Sequence, residues 1–291
     1  MRSPSKLQLN IADIVLAIIS EGFDWNFEED DPYRHFVAAH SEAVEASVHV
    51  CQEYPPKCKR CKKVFNVGSA WTLHRCARGY LLDVPSLSKP MPHRVAVFTQ
   101  DFEAGTVYVL PFESSHGCYS YPLAFPLDVL WIMNLLSLGR GVMIHACGVD
   151  TDGRGMVFAG PSGAGKSTLA KLWNKYGNAT VLSDERVILR RVGGRFVVYG
   201  TPWGSVVDAS SEGVSLSKVF FIQHANHTFV KRMKEKEAVI DLLTQSFSAL
   251  YDPAGMQYTL DFCTDLIKEV PCYELGFVPD ESVLDFVRCL T

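Results

Sequence analysis

Gly155-Met156-Val157-Phe158-Ala159, followed by Gly160-Pro161-Ser162-Gly163-Ala164-Gly165-Lys166-Ser167 and then Thr168-Leu169-Ala170-Lys171-Leu172-Trp173, is the stretch that decides the reading. The first five residues read as an apolar strand. The middle run matches G-x-x-x-x-G-K-[ST] in full, and Leu169, Ala170, Leu172 and Trp173 mark a helix. A strand, a glycine-rich loop and a helix in that order form the context a phosphate-binding loop needs. Such a loop must turn backbone N–H groups inward around a polyphosphate, which takes unusual φ/ψ values and close approach without side chains. The helix beyond adds unsatisfied amides and the positive end of its dipole. Lys166 supplies a compact charge at the β- and γ-phosphates, and the Ser167 hydroxyl is a ligand for Mg²⁺. ATP and Mg²⁺ are the expected ligands, held by Gly160, Pro161, Ser162, Gly163, Ala164, Gly165, Lys166, Ser167 and Thr168. The bland alternative, a glycine turn with a chance lysine, does not account for the flanking strand and helix.

Working outward, Val181-Leu182-Ser183-Asp184-Glu185 reads as an apolar strand ending in two carboxylates. Carboxylates at the end of a neighbouring strand are where a Mg²⁺–nucleotide site needs negative charge. Asp184 is the candidate catalytic acid/base, and Asp184 and Glu185 join Ser167 as candidate Mg²⁺ ligands; the competing reading is a pair of surface acids at a turn. His145 ends the strand-like run Val142-Met143-Ile144. It can neutralise developing charge or position a carboxylate, or serve as a core histidine.

The chain has 291 residues, enough for one large domain or two of ordinary size. The expected fold is α/β with an α+β N-terminal part. We expect a small first domain over residues 1–115, and a phosphate-loop catalytic domain over 116–291. Gly117, Ser120, Pro122 and Pro126 punctuate the boundary. In the first part, Leu7–Ile11 alternates like a strand, Ile14–Ile19 reads as strand or buried helix, and Phe23–Tyr33 is an acidic loop. Residues 34–47 favour a helix by their Ala and Glu content. Val95–Thr99 and Thr106–Leu110 resemble a hairpin. In the second part the sequence predicts helices over Leu127–Leu138, Lys166–Tyr176, Lys234–Leu250, Leu260–Glu269 and about Asp280–Val287. Strands are predicted over Val142–Ala146, Met156–Ala159 and Thr180–Leu182, with a hairpin of Val187–Arg190 and Phe196–Tyr199 around Gly193-Gly194.

Hydrophobic residues make up 47% of the chain and formal charge is only −4, so a packed globular protein is expected without a basic nucleic-acid face. The sequence carries no signal-peptide pattern and no long apolar span, which points to a cytoplasmic protein with no membrane partner. Its nine cysteines are an odd number and several lie in apolar runs, so reduced, structural thiols are the expectation. Cys51, Cys58 and Cys61, with Cys76 or His74, could build a tetrahedral zinc site; His49 is a further candidate ligand. The alternative is a reduced, loosely structured loop.

Taken together, His145-Ala146-Cys147-Gly148-Val149, Gly153 to Ala159, the phosphate loop and Leu182-Ser183-Asp184-Glu185 resemble the catalytic domain of the HPr serine kinase/phosphorylase family. That domain is related in fold to ATP-dependent phosphoenolpyruvate carboxykinases. The 21 residues from His145 to Lys166 and the 18 from Lys166 to Asp184 are close to the family pattern. The likeness spans about residues 125–215. It implies an ATP-dependent phosphotransferase acting on a serine-type hydroxyl of a peptide, protein or small metabolite, with Asp184 as acid/base, Glu185 in the second metal position and His145 near the transferred phosphate. It also implies a homo-oligomer. The family carries Asp-Asp where this chain has Asp184-Glu185, and its bifunctional members commonly carry a glutamate at the place of Thr168. Gly200-Thr201-Pro202-Trp203-Gly204 looks like a feature of HPr-kinase-related proteins, with Trp203 as a wall over the site or simply in a buried turn. The N-terminal domain of the carbon-catabolite enzyme is not seen, so HPr itself is not the expected acceptor. The competing class is a nucleotide-binding regulatory or scaffold protein of a peptide-modification cassette. A transporter ATPase lacks its Leu-Ser-Gly-Gly-Gln-like signature here, and a GTPase lacks Asn-Lys-x-Asp.

Overall fold

The computed structural model describes residues 5–20, 27, 29–39, 43–56, 60–85, 93–109, 121, 123, 125–205 and 209–290. It is a mixed α/β protein of large sheets and few helices, in two compact units: Met1–Asn10 with Ile14–Leu135, and Ile11–Asp13 with Leu136–Thr291. This division comes later than the 115/116 boundary read from the sequence, whose Gly117, Ser120 and Pro122 lie outside the described residues.

The first unit is built on strands β1 (Ser5–Ile11), β2 (Ile14–Ser20), β3 (Ala46–Cys51), β4 (Lys62–Val67), β5 (Trp71–Cys76), β6 (Gly79–Val84), β7 (Arg94–Phe98) and β8 (Ala104–Val109). They lie in the order β1-β2-β3-β8-β7-β6-β5-β4. The pairs β2/β3 and β3/β8 are parallel, and the run from β4 to β8 is an antiparallel meander. Helix α1 (Leu127–Ser137) starts just after Pro126, as its sequence predicts. Its Trp131 indole N–H donates to the Phe102 carbonyl at 2.8 Å and its ring stacks on Phe98 at 5.9 Å.

The helix expected over 34–47 does not form in the described part of that stretch. Pro32–Phe36 is a 3₁₀ turn and Ala46–Cys51 is a strand; His40 lies outside the described residues. Val48 and Val50 are buried between two parallel neighbours, so ladder hydrogen bonds and burial override a weak helix propensity.

The cysteine group is corrected as well. Cys61 and Cys76 form a disulfide, because the β4/β5 register sets Lys62 opposite Arg75 and so brings the next positions outward face to face. Their thiols are therefore neither reduced nor available to zinc. Cys51 sits on β3, which is separated from β5 by β8, β7 and β6, roughly 19 Å at ordinary strand spacing. Cys58 lies outside the described residues. Among the described residues no group of three or more His, Cys, Asp or Glu side chains is placed to hold a metal.

The second unit contains strands β9 (Val142–Ile144), β10 (Ala146–Thr151) and β11 (Arg154–Ala159), helix α2 (Lys166–Tyr176), then β12 (Thr180–Ser183), β13 (Val187–Val192), β14 (Arg195–Tyr199) and β15 (Gly213–His224). It continues through β16 (Phe229–Arg232), α3 (Glu235–Thr244), β17 (Ser246–Phe247), α4 (Pro253–Glu269), β18 (Cys272–Phe277) and α5 (Ser282–Arg288). The sheet runs β12-β10-β11-β15-β14-β13-β9-β17, with β18 also pairing parallel to β15. Asp152-Gly153 and Gly193-Gly194 close the β10/β11 and β13/β14 hairpins at positive φ, the backbone such two-residue turns need.

Alternation along β11 explains the layers. Val157 and Ala159 face a core shared with Ala238 and Leu242 of α3 and Leu266 of α4. Met156 and Phe158 face Leu169 and Trp173 of α2 and Val283 and Val287 of α5. Helices thus cover both faces of the sheet, and Trp173, fully buried, fixes α2 to it. No helix among the described residues is long and apolar enough to cross a membrane.

Candidate functional site

Strand register gathers the chemistry at one edge of the second sheet. Ala146 of β10 stands opposite Ala159 of β11, and Gly148 of β10 opposite Ser183 of β12. The residues just beyond these ends are His145, Gly160 and Asp184, so three separate motifs of the sequence arrive together. Gly148 permits the close approach: a Cβ there would lie 2.8 Å from Val187 Cγ1.

The loop between β11 and α2 has the backbone its glycines imply. Gly163 and Gly165 take φ of 82° and 107°. A Cβ on Gly165 would also meet the Phe277 ring at 2.7 Å. Gly165 is the N-cap of α2 and has no side chain to occupy the first-turn amides, which leaves them available to a ligand. Lys166 is buried, and its ammonium donates to the Gly160 and Pro161 carbonyls at 2.9 and 3.1 Å. Burial pulls its pKa down, partly offset by the charges of Glu185 and Asp184. The tip is held by His224, whose Nε2 lies 2.7 Å from the Gly163 carbonyl. Ser167 and Thr168 are exposed at the start of α2.

Asp184 is almost wholly buried. Its Oδ1 accepts the Ser205 N–H at 2.8 Å, and its Oδ2 accepts the Ser205 hydroxyl. Gly204 gives it room, since a Cβ there would stand 2.5 Å from Asp184 Oδ1. Glu185 is half-exposed and pairs with His145, Nε2 to Oε1, at 3.3 Å. His145 is held by its main-chain N–H, which donates to the Gln245 carbonyl at 2.8 Å, and by an edge contact with Phe247. Burial and then the Lys166 charge lower its pKa, while Glu185 works against them, so the imidazole is neutral at neutral pH. Arg186 lies over the Phe247 ring at 5.3 Å and donates to the Trp203 carbonyl at 3.4 Å. Burial pushes the Cys147 thiol far up, which makes it an inert apolar filler in the core with Phe158, Leu169 and Trp173.

Beside the loop entry a recess of about 440 Å³ opens among Gly160, Pro161, Gln223, Glu237, Asp241 and Glu274, within the size range of small-molecule sites. The Asp241 carboxyl is pushed up by burial and then by Glu237 and Glu274.

Compared with family models and with curated proteins, the chain matches none.

The oxygen donors present suit Mg²⁺, which needs only one or two carboxylates when triphosphate oxygens and water complete its shell. Ser167, Asp184 and Glu185 carry the oxygens that would serve as donors. Trp203, expected as a wall or a buried turn, is buried with Thr201 in a turn whose hydroxyl donates to the Arg186 carbonyl at 2.7 Å. Arg186, Ser205, His224 and Gln245 were not legible as site residues. Ser205 directly follows the glycine-flanked Gly200–Gly204 segment, and Arg186 follows the acidic pair; both adjacencies were the available signals.

Proposed function

We propose that the second unit is an ATP-dependent phosphotransferase of the HPr-kinase-like kind, acting on a serine-type hydroxyl. The observation that carries the reading is the convergence of a glycine loop, a buried lysine and a buried carboxylate at adjoining strand ends. A chance glycine turn would not bring Asp184 to the same edge as Lys166.

In this reading the loop amides and Lys166 hold and neutralise the β- and γ-phosphates. Bound Mg²⁺ would supply further charge neutralisation on the phosphate oxygens, with Ser167, Asp184 and Glu185 as its protein ligands. Asp184 accepts the proton of an incoming hydroxyl placed in line with the γ-phosphate. His145, kept neutral by burial and by Lys166, orients Glu185 through their 3.3 Å contact without adding a charge of its own. Most of the acceleration then comes from positioning and electrostatics. The recess at Gly160 and Pro161 offers room for a small acceptor or one side chain of a peptide. A cytoplasmic place of action, where ATP is abundant, goes with this reading; the Cys61–Cys76 bond pulls the other way, since such bonds are rare where thiols are kept reduced.

The test is a product assay with γ-labelled ATP and Mg²⁺ against peptides, amino acids and small alcohols. Label moving to a hydroxyl acceptor supports transfer. Triphosphate binding without any transfer or ADP formation would instead support the regulatory or scaffold alternative.

A further inference from the structure

The Asp184 carboxylate already holds a serine. Ser205 is exposed, its hydroxyl donates to Asp184 Oδ2, and its N–H donates to Oδ1 at 2.8 Å. This two-point hold is the arrangement a serine nucleophile needs with its general base: the proton to be removed lies on the hydrogen bond to the group that removes it. Other serines around the carboxylate do not meet the same conditions. Ser183 precedes Asp184, but its hydroxyl is sealed in the protein interior, with no hydrogen-bond partner among the described residues. Ser167 stands exposed at the start of α2 and is, in the reading above, a Mg²⁺ ligand. Gly204, just before Ser205, leaves room for the carboxylate: a Cβ there would stand 2.5 Å from Asp184 Oδ1.

We propose that Ser205 is a phosphoryl acceptor in cis, modified by this chain's own site. The inference rests on the phosphotransferase reading above and adds to it an acceptor of stated identity. Asp184 takes the Ser205 Oγ proton as Oγ bonds to the γ-phosphorus of ATP. The bond from that phosphorus to the β–γ bridging oxygen breaks, and ADP leaves with the electron pair. The products are O-phosphoserine at 205, ADP and a proton that Asp184 passes to water.

The experiment uses the full chain with Mg²⁺ and γ-labelled ATP, no added acceptor, and peptide mass spectrometry of the product. Label is expected on Ser205, at a fractional rate independent of protein concentration. Ser205→Ala removes the acceptor oxygen and should abolish incorporation, and Ser205→Thr should restore it as phosphothreonine. Ser211→Ala, a neighbouring serine outside the site, should label like the parent. Label on another residue, a rate that rises with protein concentration, or full labelling of Ser205→Ala would overturn the in-cis assignment. So would ADP formation or transfer to an added acceptor while Ser205 stays unmodified, and that result would leave the phosphotransferase reading standing. Absence of any triphosphate binding by calorimetry would bring down both.

Discussion

The two sheets of this protein put their strand ends to different uses. In the first unit, β4 to β8 pair in sequence as an antiparallel meander, and the outer hairpin is latched by Cys61–Cys76. In the second unit, the ends of β11 and β12 open instead into a glycine loop and a pair of carboxylates, with His145 entering between them. Both are well-packed sheets with large buried side chains, so packing alone does not mark the site. What marks it is polar groups held in apolar surroundings: Lys166 and Asp184 are buried at the second sheet's edge, each with hydrogen-bond partners. A buried charge is costly unless paired, and its presence at a strand end points to chemistry.

The contrast can be broken or sharpened by substitution. Lys166→Ala should have the largest effect, a loss of phosphoryl transfer of about 10²–10³-fold, with the fold retained in circular dichroism. Unchanged transfer would remove the second sheet's claim to the chemistry. Next comes the double variant Cys61→Ala/Cys76→Ala, which opens a loop of 15 residues and should destabilise the first unit by about 3 kcal/mol in denaturant unfolding. ADP formation should stay at the parent rate; a matching loss of activity would show that the two units do not divide labour as described. Gly165→Ala forces an L side chain to φ 107° against Phe277. A cost of about 1–2 kcal/mol is expected, read as an ATP affinity weakened roughly 10-fold in calorimetry.

The smallest effect is on pH dependence. The His145 pKa in the folded protein lies below the usual imidazole value of 6.5, through burial and the Lys166 charge. Between the folded value and 6.5 the unfolded chain binds the proton more readily, so stability falls as pH drops through that window and is unaffected above it. His145→Gln should flatten this loss in thermal melts below pH 6.5 and run parallel to the parent above it. A steeper acid loss in the variant would mean that Glu185 dominates the imidazole.

Much of the second unit was legible because its signals are local. The Lys166–Tyr176 helix, the Gly193-Gly194 hairpin and the strand into the loop each follow from a few adjacent residues, and each forms where expected. Long-range pairing was less legible. The text over 34–47 has helical composition, yet β3 exists because β2 and β8 supply hydrogen-bond partners far away in sequence. Strand β15 (Gly213–His224) went unread although it is central to its sheet. The cysteines misled for the same reason: C-x2-C spacing suggested a metal, while the β4/β5 register joins Cys61 to the cysteine that ends the next strand. At the site, motifs gave Lys166, Asp184 and His145, but Ser205 could be tied to Asp184 only by the turn that folds back onto it.

The central claim is that Asp184 takes the proton in a phosphoryl transfer at the second sheet's edge. Single-turnover kinetics with γ-labelled ATP, comparing the parent with Asp184→Asn at matched ATP occupancy, test it most directly. The account predicts label leaving ATP for a serine-type hydroxyl in the parent, and a rate lower by about 10²-fold in Asp184→Asn. Equal rates in the two proteins would contradict it.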